Sequence, residues 1–295
     1  MESLGMSKIE LYVSTKTVKK FNEWKRDIHE GQYRPFLTVR QVNKVGRRHW
    51  IFCPKQRRAA HLLSDGELRM YKKLLWQQGC LKVMEQFALD IDETLDIAVA
   101  ANLIHARNWQ TSEAYVMSTD FVVQRYDVAN PSNVITTANT FKYYGQIYEI
   151  NTDGTIEDSW YEEDQNEQAV IRKNRRTWQK FAIEKEYWRR RGVEYRVVTE
   201  RDATKEEFWN IGFCESSQKL TFEQNEICEF VQLFVNTWRQ NFHKPLNALI
   251  TLVATDLNID QRYALSVFKY VVLHHFLPLE HNSCLQPYRP LELSL

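Results

Sequence analysis

Glycine and proline are scarce in this chain, nine and seven among 295 residues, against ordinary usage of about 7% and 5%. No Gly/Ser or Pro-rich linker interrupts it, so any domains should abut. Cysteine is sparse too: Cys53, Cys80, Cys214, Cys228 and Cys284 are odd in number and far apart. They fit neither a disulfide framework nor a paired-cysteine zinc site and read as reduced thiols. The eight histidines show no metal-ligand spacing, and the adjacent pair His274-His275 would point in different directions on a helix or a strand. Long apolar runs are missing as well. Leu265 to Leu279 is broken by Lys269, His274 and His275, far short of the roughly 18 uninterrupted residues of a membrane span. The opening Met-Glu-Ser-Leu-Gly has no signal-peptide pattern, so the expected location is the cytoplasm, with no membrane partner. Finally, no charge dominates: 39 basic against 38 acidic side chains give a net +1, which excludes a polycation. A charged fraction of 26% with 43% hydrophobic residues describes a folded chain.

What is present is periodicity. Val18, Phe21, Trp24 and Ile28 recur at helical spacing before Gly31, a glycine placed as a helix stop. His49 to Phe52 reads as a short strand, Ser64 onward as a helix carrying Leu68, Tyr71, Leu74 and Leu75 on one face, and Cys80 to Phe87 as a strand. A helix is expected over Ile91 to Leu103 and strands over Ala114 to Val123, Phe141 to Ile150 and Glu194 to Thr199. Between the last two, Thr177 to Arg191 forms a helix. After about Asp202 the pattern turns almost wholly helical. Ile227, Phe230, Val231, Phe234 and Trp238 line one helix, and Leu246 to Tyr270 reads as helix, turn and helix, a pattern close to a helix-turn-helix or winged-helix module.

Three places can carry chemistry. Glu67 stands near a helix start, Asp120 in an apolar strand, and Gln146-Ile147-Tyr148 in the next expected strand. An ionised aspartate among apolar residues is costly unless it is paired or binds a metal. Strand alternation puts Gln146 and Tyr148 on one face. Two carboxylates with water and a phosphate oxygen would suit magnesium. Each residue also has an ordinary explanation. Ser64-x-x-Glu67 matches a capping box, Asp120 could pair with an arginine, and Gln146 and Tyr148 could be plain sheet residues.

A resemblance weighs between these. Arg34-Pro35-Phe36-Leu37-Thr38-Val39, His61 to Leu68, Glu85-Gln86-Phe87, Val116 to Phe121 and Glu186-Tyr187-Trp188 follow the order and approximate spacing of the TnsA family, the endonuclease subunits of heteromeric bacterial transposases. The likeness implies an α/β fold: a restriction-endonuclease-like N-terminal domain, a mixed sheet flanked by helices, over 1–203, and an all-helical winged-helix-like C-terminal domain over 204–295. It implies Mg2+-dependent phosphodiester hydrolysis, with Mn2+ as a substitute, at the 5′ ends of a DNA transposon. The implied partners are transposon-end DNA, a TnsB-like transposase and a TnsC-like ATPase regulator contacted through the C-terminal domain, with action on the bacterial nucleoid. Glu67 matches the family's catalytic glutamate, Asp120 its metal-binding aspartate and Gln146 the first residue of its Gln-x-Lys motif, so that Glu67, Asp120 and Gln146 form the implied metal set.

Tyr148 then falls where the family has lysine, and a phenol is neutral at pH 7. That departure opens a second reading, a catalytically degenerate subunit that organises the transposase on DNA. Lys142 could supply the cation if Thr140-Phe141-Lys142 is the true motif; Lys173, Lys180 and Lys185 are further candidates. For DNA contact the basic clusters Arg172, Lys173, Arg175 and Arg176, and Arg189 and Arg190, bracket one helix, though a merely solvated surface fits them equally.

Overall fold

The computed structural model describes residues 11–42, 46–148, 174–280 and 282–294. In chain order its elements are α1 (Thr15–His29), β1 (His49–Cys53), β2 (Arg58–Leu62), α2 (Asp65–Trp76), β3 (Cys80–Ala88), α3 (Ile91–Ala100), β4 (Ser118–Tyr126), β5 (Val134–Phe141), α4 (Tyr144–Ile147), α5 (Arg175–Arg189), β6 (Glu194–Val198), α6 (Lys205–Cys214), α7 (Gln224–Asn241), α8 (Leu246–Asp256) and α9 (Gln261–Leu273). They divide into two compact units, one built from 1–68, 81–124 and 134–200, the other from 69–80, 125–133 and 201–295.

The first unit is organised by a four-stranded sheet in the order β3-β4-β5-β6. β5 and β6 run parallel, from Thr137 opposite Glu194 to Phe141 opposite Val198. The connection from β4 to β5 spans only 127–133, too short for the parallel crossover of about a dozen residues, so this pair is antiparallel and the sheet is mixed. Helices flank it. Ile97 and Ala98 of α3 and Ile183, Tyr187 and Trp188 of α5 bury against Met84, Val122 and Ala138 from the strands. The helical stripe of α1 buries Phe21 and Trp24 against Phe36, Ala88 and Ile91, with Trp24 edge-on to Phe36 at 6.1 Å between ring centres. Ser14 caps this helix by accepting the Thr17 N–H at 3.2 Å, and the chain turns out of it at Gly31. β1 and β2 form a separate antiparallel pair.

The second unit is helical. α7 buries Ile227, Phe230 and Phe234, and Phe234 packs on Phe268 of α9 at 5.1 Å. Asp260 starts α9 by accepting the Arg262 and Tyr263 N–H groups. Among the described residues no helix is long and apolar enough to cross a membrane.

One sequence expectation fails. The strand read over Phe141 to Ile150, of which 149–150 lie outside the described residues, is displaced: β5 ends at Phe141 and the chain turns into the one-turn helix α4. Tyr143, Tyr144, Ile147 and Tyr148 look like strand formers because they are aromatic or β-branched. Tyr144, Ile147 and Tyr148 instead cluster with Trp178 and Phe181 of α5, and that burial decides the backbone.

Beneath β3, Glu85 is fully buried and bound bidentately by Arg58 at 2.7 and 2.5 Å, with the His61 N–H adding a third donor at 3.2 Å. Burial pushes the Glu85 carboxyl up, and Arg58 opposes the shift. Arg58→Ala would leave that carboxylate uncompensated and should cost about 3–5 kcal/mol in urea unfolding. Adding Glu85→Gln should recover part of the loss; equal stabilities of the single variant and wild type would contradict this account.

Candidate active site

Three elements of the first unit converge on two buried carboxylates. Glu67 sits in the first turn of α2 and Asp120 at the third position of β4, each only 8% exposed. α2 begins where the sequence places it: Ser64 Oγ accepts the Glu67 N–H at 3.0 Å, and the Ser64 hydroxyl lies 3.4 Å from Glu67 Oε1. The second half of the expected box is shifted by one residue, because Glu67 Oε2 takes the N–H of Leu63 at 2.9 Å. Capping thus leaves the carboxylate fixed at the helix start, beside Asp120.

Asp120 is held by main chain. Its Oδ2 accepts the N–H of Phe141, the last residue of β5, at 2.8 Å. Between the two carboxylates stands Gln86, whose Nε2 donates to Glu67 Oε2 at 3.3 Å and to Asp120 Oδ1 at 3.2 Å. Its Oε1 accepts from the Ser118 hydroxyl at 3.3 Å, which fixes which end of the amide faces the acids. Gln86 has φ +52° in the middle of β3, a left-handed conformation that a non-glycine residue adopts at a cost and that bends a strand to re-aim a side chain.

Gly66 makes the approach of α2 to β5 possible. A Cβ there would lie 2.1 Å from Cζ of Phe141, a ring that is itself buried. The Gly66 N–H donates to the Tyr143 hydroxyl at 3.0 Å, a second tie between the helix start and the end of β5.

The electrostatics follow from this crowding. Burial, and then the Asp120 charge, push the Glu67 carboxyl well above the usual carboxylate range, while the Leu63 N–H, Lys142 and Ser64 oppose the shift. Lys142 immediately follows β5, and its N–H donates to Val198 O at 2.9 Å, extending the pairing with β6 by one step. A second cation comes from α5. Burial alone would lower the Lys180 ammonium, but the charges of Glu184, Asp120 and Glu67 outweigh it and the net shift is upward. Lys180 lies 3.5 Å from Glu184, with a third of its side chain exposed. Glu184, fully buried, accepts the hydroxyls of Thr119 and Thr140 at 2.9 and 2.6 Å.

The structure therefore brings together Glu67 and Asp120, with Lys142 near enough for its charge to oppose the Glu67 shift, and leaves out Gln146 and Tyr148. Gln146 is exposed on α4. Tyr148 is fully buried, 4.3 Å from the Tyr144 ring and 5.7 Å from Trp178. The physical reason is the early end of β5, which puts Thr140-Phe141-Lys142 beside Asp120 in place of Gln146-Ile147-Tyr148. Gln86 was legible only as part of the matching Glu85-Gln86-Phe87 stretch, and nothing in its residue type marks it as a clasp. Of the basic clusters, Arg172 and Lys173 lie outside the described residues. Arg175 is exposed, and Arg176 lies over the Trp109 ring at 4.4 Å. Arg189 and Arg190 share the single carboxylate of Glu186, at 2.6 and 3.0 Å, which offsets one of their two charges.

Among the described residues no group of three or more His, Cys, Asp or Glu side chains is arranged to hold a metal ion. Two carboxylates are nevertheless a sufficient protein contribution for magnesium, which retains waters and takes substrate phosphate oxygens. The donor set fits: Glu67 and Asp120 are oxygen ligands crowded together under mutual repulsion, a condition that a divalent cation relieves.

Residues 78–200 match a family model described as the TnsA-like endonuclease N-terminal domain. The chain is also 27% identical over 184 residues to the transposon Tn7 transposition protein TnsA of Escherichia coli, an alignment taking in 62% of this chain and 56% of that protein. The protein is TnsA-like on both counts. Gln86, Asp120, Lys142, Lys180 and Glu184 fall inside the matched family segment, and Glu67 lies eleven residues (78 − 67) before it.

Replacing Gly66 tests the tight approach of α2 to β5. Gly66→Ala should lower stability by about 1–3 kcal/mol through overpacking against Phe141. The measurement is urea denaturation, and the companion Phe141→Leu should restore part of the loss in the double variant. An alanine as stable as wild type would mean that the helix start is not pinned there.

Proposed function

We propose that this protein is the endonuclease subunit of a bacterial DNA transposition system, hydrolysing phosphodiester bonds at the 5′ ends of a transposon alongside a TnsB-like transposase. The observation that carries the reading is the buried Glu67–Asp120 pair, tied to the end of β5 and within electrostatic reach of the cations Lys142 and Lys180. Likeness to a transposition protein and to an endonuclease domain supplies the reaction class.

Glu67 and Asp120 would hold Mg2+, or Mn2+ in its place. The ion, when bound, would lower the pKa of an attacking water and offset charge on the leaving oxygen. The chain's own residues do the rest. Gln86 keeps the carboxylates at a fixed separation, the Phe141 N–H sets the rotation of Asp120, and Lys142 and Lys180 neutralise charge that accumulates on the phosphate. A second reading, a noncatalytic organiser of the transposase, rests on a neutral residue in the lysine position. Tyr148 supplied that argument, and its burial among Tyr144, Trp178 and Phe181 supports the catalytic reading over it.

In this reading the C-terminal unit is a winged-helix-like module that contacts a TnsC-like ATPase. Its support is the helix-turn-helix order of α8 and α9, together with the short antiparallel bridges Pro245 to Pro290 and Leu279 to Leu293. The protein would act on the nucleoid in the cytoplasm.

A nicking assay on transposon-end DNA with the partner transposase tests the reading. Cutting should require Mg2+ or Mn2+, vanish in Glu67→Ala and Asp120→Ala, and fall about 10²–10³-fold in Lys142→Ala. Tyr148→Phe should cut as wild type does. Metal-independent cutting, or full activity in Asp120→Ala, would contradict the proposed chemistry.

A further inference from the structure

From Gly31 to Ser64 the chain has no acidic residue and eight Lys or Arg, a local imbalance hidden inside the net +1. At the heart of this tract lies the β1–β2 ribbon. Its register places Trp50 opposite His61, Ile51 opposite Ala60 and Phe52 opposite Ala59, so alternation gives the ribbon two different faces. On one face Cys53, Ala60 and Leu62 are buried. On the other, Trp50 and Phe52 stand 58% and 67% exposed, and the small Ala59 leaves Phe52 uncovered. Trp50 stacks on His61 at 5.7 Å, with the Arg40 guanidinium 5.0 Å from its ring centre.

Arg47 precedes the ribbon and Arg57 lies in its turn, and with Arg40 both are exposed. Among the described residues no carboxylate forms an ion pair with any of the three. Two large aromatic groups held in water beside unneutralised guanidinium groups make a surface that repels cations and matches a polyanion whose sugars and bases offer apolar faces. A two-stranded ribbon also has the width to enter the major groove of duplex DNA. The position agrees: β2 ends at Leu62, and the next N–H, that of Leu63, is the donor to Glu67. Whatever lies along this ribbon is one residue from the candidate catalytic carboxylate's main-chain anchor.

We infer that the exposed face of the β1–β2 ribbon, with Trp50 and Phe52 between Arg40, Arg47 and Arg57, is the surface that holds duplex DNA beside the scissile phosphodiester. The inference deepens the endonuclease reading and rests on it for the bond that is cut, but not for the binding itself. The arginines take phosphates, which sets affinity and its salt dependence; the aromatic strip takes sugars and base edges.

The test uses the full chain and a fluorescein-labelled duplex in EDTA, so that no metal contributes, with anisotropy followed across a salt series. The triple variant Arg40→Gln/Arg47→Gln/Arg57→Gln should lower the slope of log affinity against log salt by about 2–3, at roughly 0.9 for each phosphate no longer neutralised. Trp50→Ala/Phe52→Ala should weaken binding while leaving that slope unchanged. As a measurement that leaves the arginines in place, Phe52→benzoylphenylalanine should crosslink to the duplex on illumination, and Val99→benzoylphenylalanine should not. Unchanged affinity and slope in the triple variant, no binding by wild type at low salt, or equal crosslinking from both positions would overturn the inference. So would variants that bind DNA normally but lose a protein partner. Unaltered binding in variants of an enzyme that still cuts would sink the ribbon alone; ribbon-dependent binding by a protein that never cuts would sink the nuclease reading and leave the ribbon.

Discussion

Two acids, Glu67 and Asp120, are kept together inside the first unit, and much of the local architecture serves to hold them there. Glu67 and Asp120 would separate or take up protons if they were left to repulsion in a poorly solvated site. Four groups prevent separation: the Leu63 and Phe141 N–H groups, one on each acid, the shared amide of Gln86, and the Ser64 cap that fixes the helix start. β3 is strained at Gln86 to aim its amide inward, and α2 approaches β5 closely enough that only glycine fits at position 66.

This constraint also explains how α5 relates to the sheet. Thr119 and Asp120 are neighbours on β4 and point to opposite faces. Asp120 turns toward the carboxylate site, and Thr119 gives its hydroxyl to Glu184 while accepting Trp188 Nε1–H at 2.9 Å. Thr140 repeats that contact from β5. Glu184 in turn anchors Lys180, so the cation supplied by α5 is positioned by the same two strands that carry the carboxylate site.

Much of this was legible in the sequence. The stripe Phe21, Trp24 and Ile28 forms α1, Ser64 caps α2, and the burial of β3 and β4 follows their apolar content. Asp120 announced itself as an acid in an apolar strand, and Glu67 as an acid at a helix start. The end of β5 was not legible. Tyr143 to Tyr148 has strand composition, and only its packing against Trp178 and Phe181 from a distant helix turns it into α4. That single displacement is why the sequence points first to Tyr148 for the third position and only second to Lys142. Gln86 stayed hidden for another reason: a positive φ inside a strand leaves no mark on residue type. The charge total concealed the ribbon similarly, since a sum over the whole chain averages an acid-free tract against acidic ones.

The central claim is that Glu67 and Asp120 together form a divalent-metal site at the end of β5. Crystals of the full chain grown with Mn2+, measured at the manganese absorption edge, test it most directly. The account predicts an anomalous peak between the two carboxylates, within bonding distance of both, with the Gln86 amide still donating to at least one of them. A peak bound elsewhere, or none at a manganese concentration that supports DNA cutting, would contradict it.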